Sequence, residues 1–250
     1  MKRVDVPTDL LVNRTAGELL VLPDGVAHYV TNVMRRQPGD GLELFDGTGN
    51  QAVVEITSID DDVTVEILQW READKKESPL STVLFQAIPK GKRWGWILEK
   101  ATELGVRSIV PLHTERTVKR IPDDRVDDRL RRWDKKVSSA ARQCGRALTP
   151  ELSRPRTPGE AYEETPCDIH LVAHPGGDAT GVVSALKKLD EIERLGIWIG
   201  PEGGFTQQEV DNLTSEKDVR PVHLGPRILR ADTAGIAALA IAQAIHGDFV

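Results

Sequence analysis

The sequence is short of cysteine and has no long apolar run. Cys144 and Cys167 are the only two cysteines in 250 residues. They are too few for a disulfide framework, and neither sits in a metal-ligand spacing, so no metal is expected. No apolar stretch approaches the ~18 residues of a membrane span. The opening MKRVDVPTDLLVNRTAGELL meets Asp5 and Asp9 soon after its two basic residues, unlike a secretory signal. Free thiols without a signal lead us to expect a cytoplasmic location. Two nucleotide-binding signatures are also missing. No glycine-rich turn ends in Gly-Lys-Ser/Thr, and no GxGxxG follows the first strand of an α/β pattern.

What is present is acidic overall and basic in the middle. The formal net charge of -6 argues against a generic nucleic-acid binder. Residues 90–156, however, hold 18 Lys and Arg against 9 Asp and Glu, while the remainder holds 15 against 30. A localised anionic partner fits that asymmetry. A solvated helix face with mixed signs, as in RIPDDRVDDRLRRWDKK, fits it too.

Residues 1–70 read as short strands with tight turns. Val63-Thr64-Val65-Glu66-Ile67 alternates, and Asp46-Gly47-Thr48-Gly49 and Asp60-Asp61-Asp62 are turn clusters. GVAHYVTNVMRRQPGD predicts a short helix stopped by Pro38-Gly39. A small β-barrel over residues 1–72 is expected. The polar READKKESP reads as a linker. From residue 78 to 250, strands such as STVLFQAIP, SIVPLH, DIHLVAH, LGIWIG and VRPVHLG alternate with helices. That order predicts an α/β domain with a largely parallel sheet.

Ligands of open α/β sheets bind beyond the carboxyl ends of strands. Three such ends are rich in special residues: His174-Pro175-Gly176-Gly177, Gly200-Pro201-Glu202-Gly203-Gly204, and Leu224 to Arg230. Glycines let a backbone approach a flat ligand closely. A carboxylate at Glu202 would repel a phosphate but suit hydroxyls, an amine or a cation. S-adenosylmethionine, a nucleoside with a sulfonium, fits; so do ordinary Gly- and Pro-rich turns. Glu202 has a rival role as a cap for the helix expected near Thr206.

The joint pattern says more. GPEGGFTQQEV, followed by HLGPRILRADTAGIAAL, resembles the ribosomal RNA small subunit methyltransferase E family. These are 16S rRNA uridine N3-methyltransferases of the SPOUT, or α/β-knot, superfamily. KGKRWGWILEKATELGV, VPLHTERTVKR, SSAARQCGR and VMRRQPGDGLELFDGTG resemble its other segments in order, so the likeness covers nearly the whole chain. It departs at Asp232, where the family usually has Glu, and at Ser139, where it usually has an acid.

The resemblance implies an N-terminal PUA-like β-barrel and a C-terminal SPOUT-type α/β trefoil-knot domain. It implies a homodimer that binds S-adenosylmethionine in the knot and acts on 16S rRNA, on the small ribosomal subunit. Another RNA substrate such as tRNA, or a catalytically silent ribosome-assembly role, stays open. Leu224, Gly225, Ile228 and Leu229 are expected to bracket the adenine. Gly200, Glu202 and Gly203 are expected on the ribose and methionine side, with Leu171 and Ala173 nearby. Arg230, then Arg227, is expected to stabilise negative charge on the uracil oxygens, unless paired with Glu202 or Asp232. RNA candidates are Arg35, Arg36, Lys90, Lys92, Arg93, Arg116, Lys119, Arg120, Arg142 and Arg146. Trp94 and Trp96 are candidates for base stacking or for core.

Overall fold

The computed structural model describes all residues except 73–76, 92, 119, 175, 177, 178 and 250, and only the backbone of Glu72. Lys92 and Lys119 therefore lie outside the described residues. The chain divides into two compact units: residues 1–77 with 141–149, and residues 78–140 with 150–250.

The first unit contains β1 (Lys2–Asp5), α1 (Thr8–Leu11), β2 (Leu19–Val21), α2 (Asp24–His28), β3 (Gly41–Phe45), β4 (Asn50–Ile59) and β5 (Val63–Glu72). They form a five-stranded sheet in the order β1-β3-β4-β5-β2. The alternation of β5 places Val63, Val65 and Ile67 in the core with Leu42, Leu44, Val54 and Ile56, as a period of two requires. Asp46 closes the turn between β3 and β4 by accepting from the N–H groups of Thr48 and Asn50, at 2.8 and 3.1 Å. The helix expected to run on to Pro38-Gly39 ends earlier, at Val33. After α2 the chain widens into a π-helical turn over Tyr29–Val33, and Arg35 adopts a left-handed φ of 54°.

The second unit contains β6 (Ser81–Ala87), α3 (Arg93–Glu103), β7 (Ser108–Leu112), α4 (Val126–Cys144), β8 (Glu151–Leu152), α5 (Pro158–Glu164), β9 (Ile169–Ala173), β10 (Thr180–Gly181), α6 (Val182–Leu186), β11 (Arg194–Ile199), α7 (Gln207–Thr214), β12 (Val219–His223) and α8 (Ala231–His246). Residues 141–144 of α4 count with the first unit. The seven-stranded sheet has the order β10-β12-β9-β11-β6-β7-β8, and its pairs are parallel. Both faces are buried, as parallel sheets require. Leu84, Leu171, Ile197 and Ile199 face a core shared with α3 and α8, while Val83, Phe85, Val172 and Trp198 face Phe205, Val210 and Leu213. Trp94 belongs to the first of these cores, tilted against Trp133 at 5.1 Å, so it cannot stack a base; Trp96 stays partly exposed. Among the described residues no helix is long and apolar enough to cross a membrane, and no cluster of His, Cys, Asp or Glu could hold a metal.

One core feature makes stability depend on pH. His170 on β9 is fully buried. Its Nδ1 accepts from the indole N–H of Trp198 at 2.9 Å, and Trp198 stacks on Phe85. Burial lowers the His170 pKa; Asp218 opposes that shift and Arg194 adds to it. The folded protein thus resists a proton that the unfolded chain accepts below about pH 6.5. His170 contributes stability that is full above pH 6.5 and is lost as pH falls through its folded value. The slope is at most about 1.4 kcal/mol per pH unit. Thermal melts between pH 7.5 and 5, above the carboxylate range, should show that acid-side loss shrinking in His170→Gln. Parallel curves for the two proteins would remove His170 as the cause. His113, whose pKa burial also lowers, supplies a residual slope in the same direction.

Candidate active site

Three strand ends meet at the carboxyl edge of the parallel sheet. β9 and β12 are neighbours, as are β9 and β11, so the segments beyond them converge. They enclose a cleft of about 400 Å³ together with the first turns of α8. Ala173 and His174 line it from β9, and Ile199 to Gly204 from β11. Val222 to Gly225, Arg227 to Ala231, and Ala234 complete it.

Backbone geometry explains two of the glycines. A Cβ at Gly200 would stand 2.8 Å from the Phe205 nitrogen, so the returning chain fits only over glycine. Gly225 has φ +101° and donates its N–H to Nδ1 of His223 at 3.2 Å. Only glycine adopts that φ without strain.

The loop around Glu202 is braced from two sides. Thr206 and Glu209 form a capping box at the start of α7, each side chain accepting from the other's backbone N–H. Glu202 is therefore not the cap. Its Oε1 accepts the Lys90 N–H at 3.0 Å and lies 3.6 Å from the Arg93 guanidinium. Arg93 also reaches Asp232 on α8, at 3.8 Å. On the other side Arg116 donates to the Gly203 carbonyl at 2.8 Å, and Glu209 accepts the Glu115 N–H at 2.8 Å.

The cleft fits a nucleoside with a polar tail. Leu224, Ile228, Leu229 and Ala234 give apolar walls for a flat ring. Backbone groups of two glycine-bearing turns are close, and no lysine lines the cleft among the described residues. A cradle of this size, apolar with a few convergent polar groups, is typical of small-molecule sites.

Residues 76–243 match the family model described as an RNA methyltransferase domain, and residues 22–68 match one described as an RNA methyltransferase PUA domain. A ribosomal RNA small subunit methyltransferase E of Bacillus subtilis is 32% identical over 85% of this chain and 84% of its own. The chain belongs to the ribosomal RNA small subunit methyltransferase E family. A relative of the same name from Buchnera aphidicola is 32% identical over 99% of this chain and 94% of its own. A crystal structure of a family member from Neisseria gonorrhoeae, bound to S-adenosyl methionine, is 32% identical. It covers 100% of both chains with a TM-score of 0.85. The first unit is a PUA-like domain and the second has the SPOUT methyltransferase fold.

Most of the residues expected to hold the cofactor line this one cleft. Gly200, Glu202, Gly203, Leu224, Gly225, Ile228, Leu229 and Ala173 line one cleft, as do Arg227 and Arg230. Leu171 does not. It shares a face with Ala173 but lies two residues deeper, 2% exposed in the core. His223, Ala231 and Ala234 line the cleft and were missed. Small residues three apart at the start of the final helix were the available signal for the two alanines.

The basic residues separate into different environments. Arg93 is held between Glu202 and Asp232, and Arg116 is spent on the Gly203 carbonyl. Arg146 is buried and grips Glu77 at 2.7 Å within the first unit. Arg93 and Arg146 thus face carboxylates, whereas Arg116 is exposed and keeps its charge. Arg120 and Lys90 are exposed, as is Arg35, while Arg36 lies 3.6 Å from Asp40.

Arg116 therefore braces the loop that carries Gly203. Losing a charged hydrogen bond to Gly203 removes about 1.5–3 kcal/mol of bracing. We expect Arg116→Ala to weaken S-adenosylmethionine binding about tenfold, while Arg120→Ala leaves it within about twofold. Calorimetric titration decides it. Equal cofactor affinities in both variants would return Arg116 to the list of RNA contacts.

Proposed function

We propose that this chain transfers the methyl group of S-adenosylmethionine to N3 of a uridine in the decoding region of 16S rRNA. In this reading it works on the assembled small subunit, as a cytoplasmic homodimer. Residues 1–72 form its RNA-binding unit and residues 78–250 its methyltransferase unit. The observation that carries the proposal is the cleft itself. It is apolar where a nucleobase would lie, carries Glu202 where a cation would lie, and is flanked by two exposed arginines, Arg227 and Arg230. The solved Neisseria gonorrhoeae relative is bound to S-adenosyl methionine, which supports that cofactor here.

The cofactor, when bound, supplies an electrophilic methyl on a positive sulfonium. The chain does the rest. Leu224, Ile228 and Leu229 bracket the adenine. Glu202 accepts from the ribose or amino donors while its carboxylate favours the sulfonium charge. The imide proton of uridine leaves to solvent. Arg230, at the N-cap of α8 with no side-chain cap bond, faces the charge that develops on the uracil oxygens. The helix N-terminus adds a field of the same sign. Ile228, 90% exposed beside the cleft, suits cover by RNA or by a second subunit.

Labelled methyl transfer to small subunits, free 16S rRNA and bulk tRNA tests the proposal. We expect transfer to small subunits above all. Transfer to tRNA alone would replace the substrate, and no transfer to any RNA would favour a silent assembly protein.

A further inference from the structure

The sheet of the first unit ends on an open edge. β2 is its last strand and pairs with β5 alone. The Ile67 N–H donates to the Glu18 carbonyl and the Leu22 N–H to the Val63 carbonyl, each at 2.9 Å. Backbone direction alternates along an antiparallel strand. Glu18, Leu20 and Leu22 therefore turn their backbone groups to β5, and Leu19 and Val21 turn theirs to the open side. The side chains of these two also stand free. Leu19 is 62% and Val21 53% exposed, while Leu20 between them is in the core. Leu68 on β5 is exposed too. Open edges are commonly guarded by lysine, proline or a bulge. Leu19-Leu20-Val21 has none of these.

The charge beside that edge indicates what covers it. Register places Leu19 opposite Glu66, and Glu66 opposite Glu55, so the two carboxylates are direct cross-strand neighbours on the outer face. Like charges so placed destabilise a sheet. Neither has a cation within ion-pair distance among the described residues. Val21 lies opposite Thr64, close to the exposed turn Asp60-Asp61-Asp62 that joins β4 to β5. A phosphate backbone would be repelled here. An added strand with lysine or arginine on its outer face would suit every feature. Its main chain would pair with the free groups of Leu19 and Val21. Its long aliphatic stems would cover those two side chains, and its charged ends would reach Glu66.

We propose that β2 accepts a short, extended, basic segment of a partner protein as one more strand. Three residues of free edge admit one such segment and not a growing sheet of copies. An assembled subunit presents protein as well as RNA, so this contact would dock the enzyme without touching nucleic acid. That consequence rests on the proposed substrate; the strand pairing does not.

The test uses the full-length protein and a fluorescent, end-capped peptide of alternating lysine and valine. A lysine–glycine peptide of equal charge is the control. Anisotropy should show the lysine–valine peptide binding about tenfold more tightly, because glycine weakens a strand and covers no apolar surface. Hydrogen exchange should slow at the Leu19 and Val21 amides when it binds. Val21→Pro removes an outward N–H and leaves the bonds to β5 in place, as proline on an edge strand can. It should weaken binding about tenfold. Glu55→Gln/Glu66→Gln should move two readouts in opposite directions. Peptide affinity should fall about fivefold, and the melting temperature without peptide should rise by about 1–3 °C as the like-charge pair is removed. The amides of Leu20 and Val65, which face each other, should stay protected in every variant, which shows that the first unit is folded. Equal affinity for the two peptides, or wild-type affinity in folded Val21→Pro, would overturn the proposal. So would protection of Leu19 and Val21 that needs no peptide and grows with protein concentration, since a second copy would then hold the edge. Protection of the same amides by a single-stranded RNA oligonucleotide would overturn it as well. Each of these results leaves the methyltransferase reading standing, because that reading fails only if no RNA is methylated.

Discussion

Arg230→Ala should lower the methyl-transfer rate by about 10²–10³-fold, the usual cost of removing one donor to a developing oxyanion. Cofactor affinity should stay within about twofold. The expectation rests on what Arg230 does not do. The two carboxylates that could have claimed it, Glu202 and Asp232, both lie against Arg93. Arg230 is exposed at the rim of the cleft and has no ion-pair partner among the described residues. An arginine left unpaired beside a reaction site keeps its planar fork for substrate. Arg230→Lys should recover only part of the rate, because an ammonium cannot bridge two oxygens in that way. Arg227→Ala should cost less. Single-turnover transfer and calorimetry separate rate from binding. A loss that sits entirely in cofactor affinity would make Arg230 a wall of the cleft rather than a catalytic group.

The second large effect concerns Glu202. Its carboxylate accepts the Lys90 N–H and faces Arg93. In Glu202→Lys an ammonium would oppose both Arg93 and the ligand's sulfonium, and the Lys90 N–H would lose its acceptor. Cofactor affinity should fall by more than about a hundredfold. In Glu202→Gln the amide oxygen still accepts from Lys90, so the loop should hold while the charge is gone. One charged hydrogen bond is worth about 1.5–3 kcal/mol, or roughly ten- to a hundredfold in affinity. The contrary result is specific: a lower melting point without ligand, with wild-type binding in Glu202→Gln. The carboxylate would then be only a brace between two loops.

The cleft was legible because local rules govern it. Glycine and proline mark the turns beyond β11 and β12, and strand ends of a parallel sheet converge on one edge. The helix start at Thr206 was legible for the same reason, since Thr and Glu three residues apart form a capping box. What sequence could not show were partners far apart in the chain. Arg146 finds Glu77, 69 residues away, and Arg116 finds Gly203, 87 residues away. Read alone, each is a basic residue in a positive stretch; folded, Arg146 meets a carboxylate and Arg116 is tethered to a loop. The same holds for residues 141–149, which pack with the first unit although they lie inside the second unit's stretch of sequence. The misplacement of Leu171 has a simpler cause. Period-two reasoning gives the face of a strand but not the depth, and Leu171 is below the floor.

The central claim concerns which atom receives the methyl group. Small subunits methylated by the purified protein with labelled S-adenosylmethionine can be digested to nucleosides and separated against standards. The account predicts label in N3-methyluridine, a modification that blocks the Watson–Crick edge and so also stops reverse transcription at one position. Label in a 2′-O-methyl nucleoside or in 5-methyluridine would contradict it. A 2′-O product develops its charge on the ribose oxygen, and a C5 product requires a nucleophile to add at C6; neither passes through the N3 anion that Arg230 is assigned to stabilise.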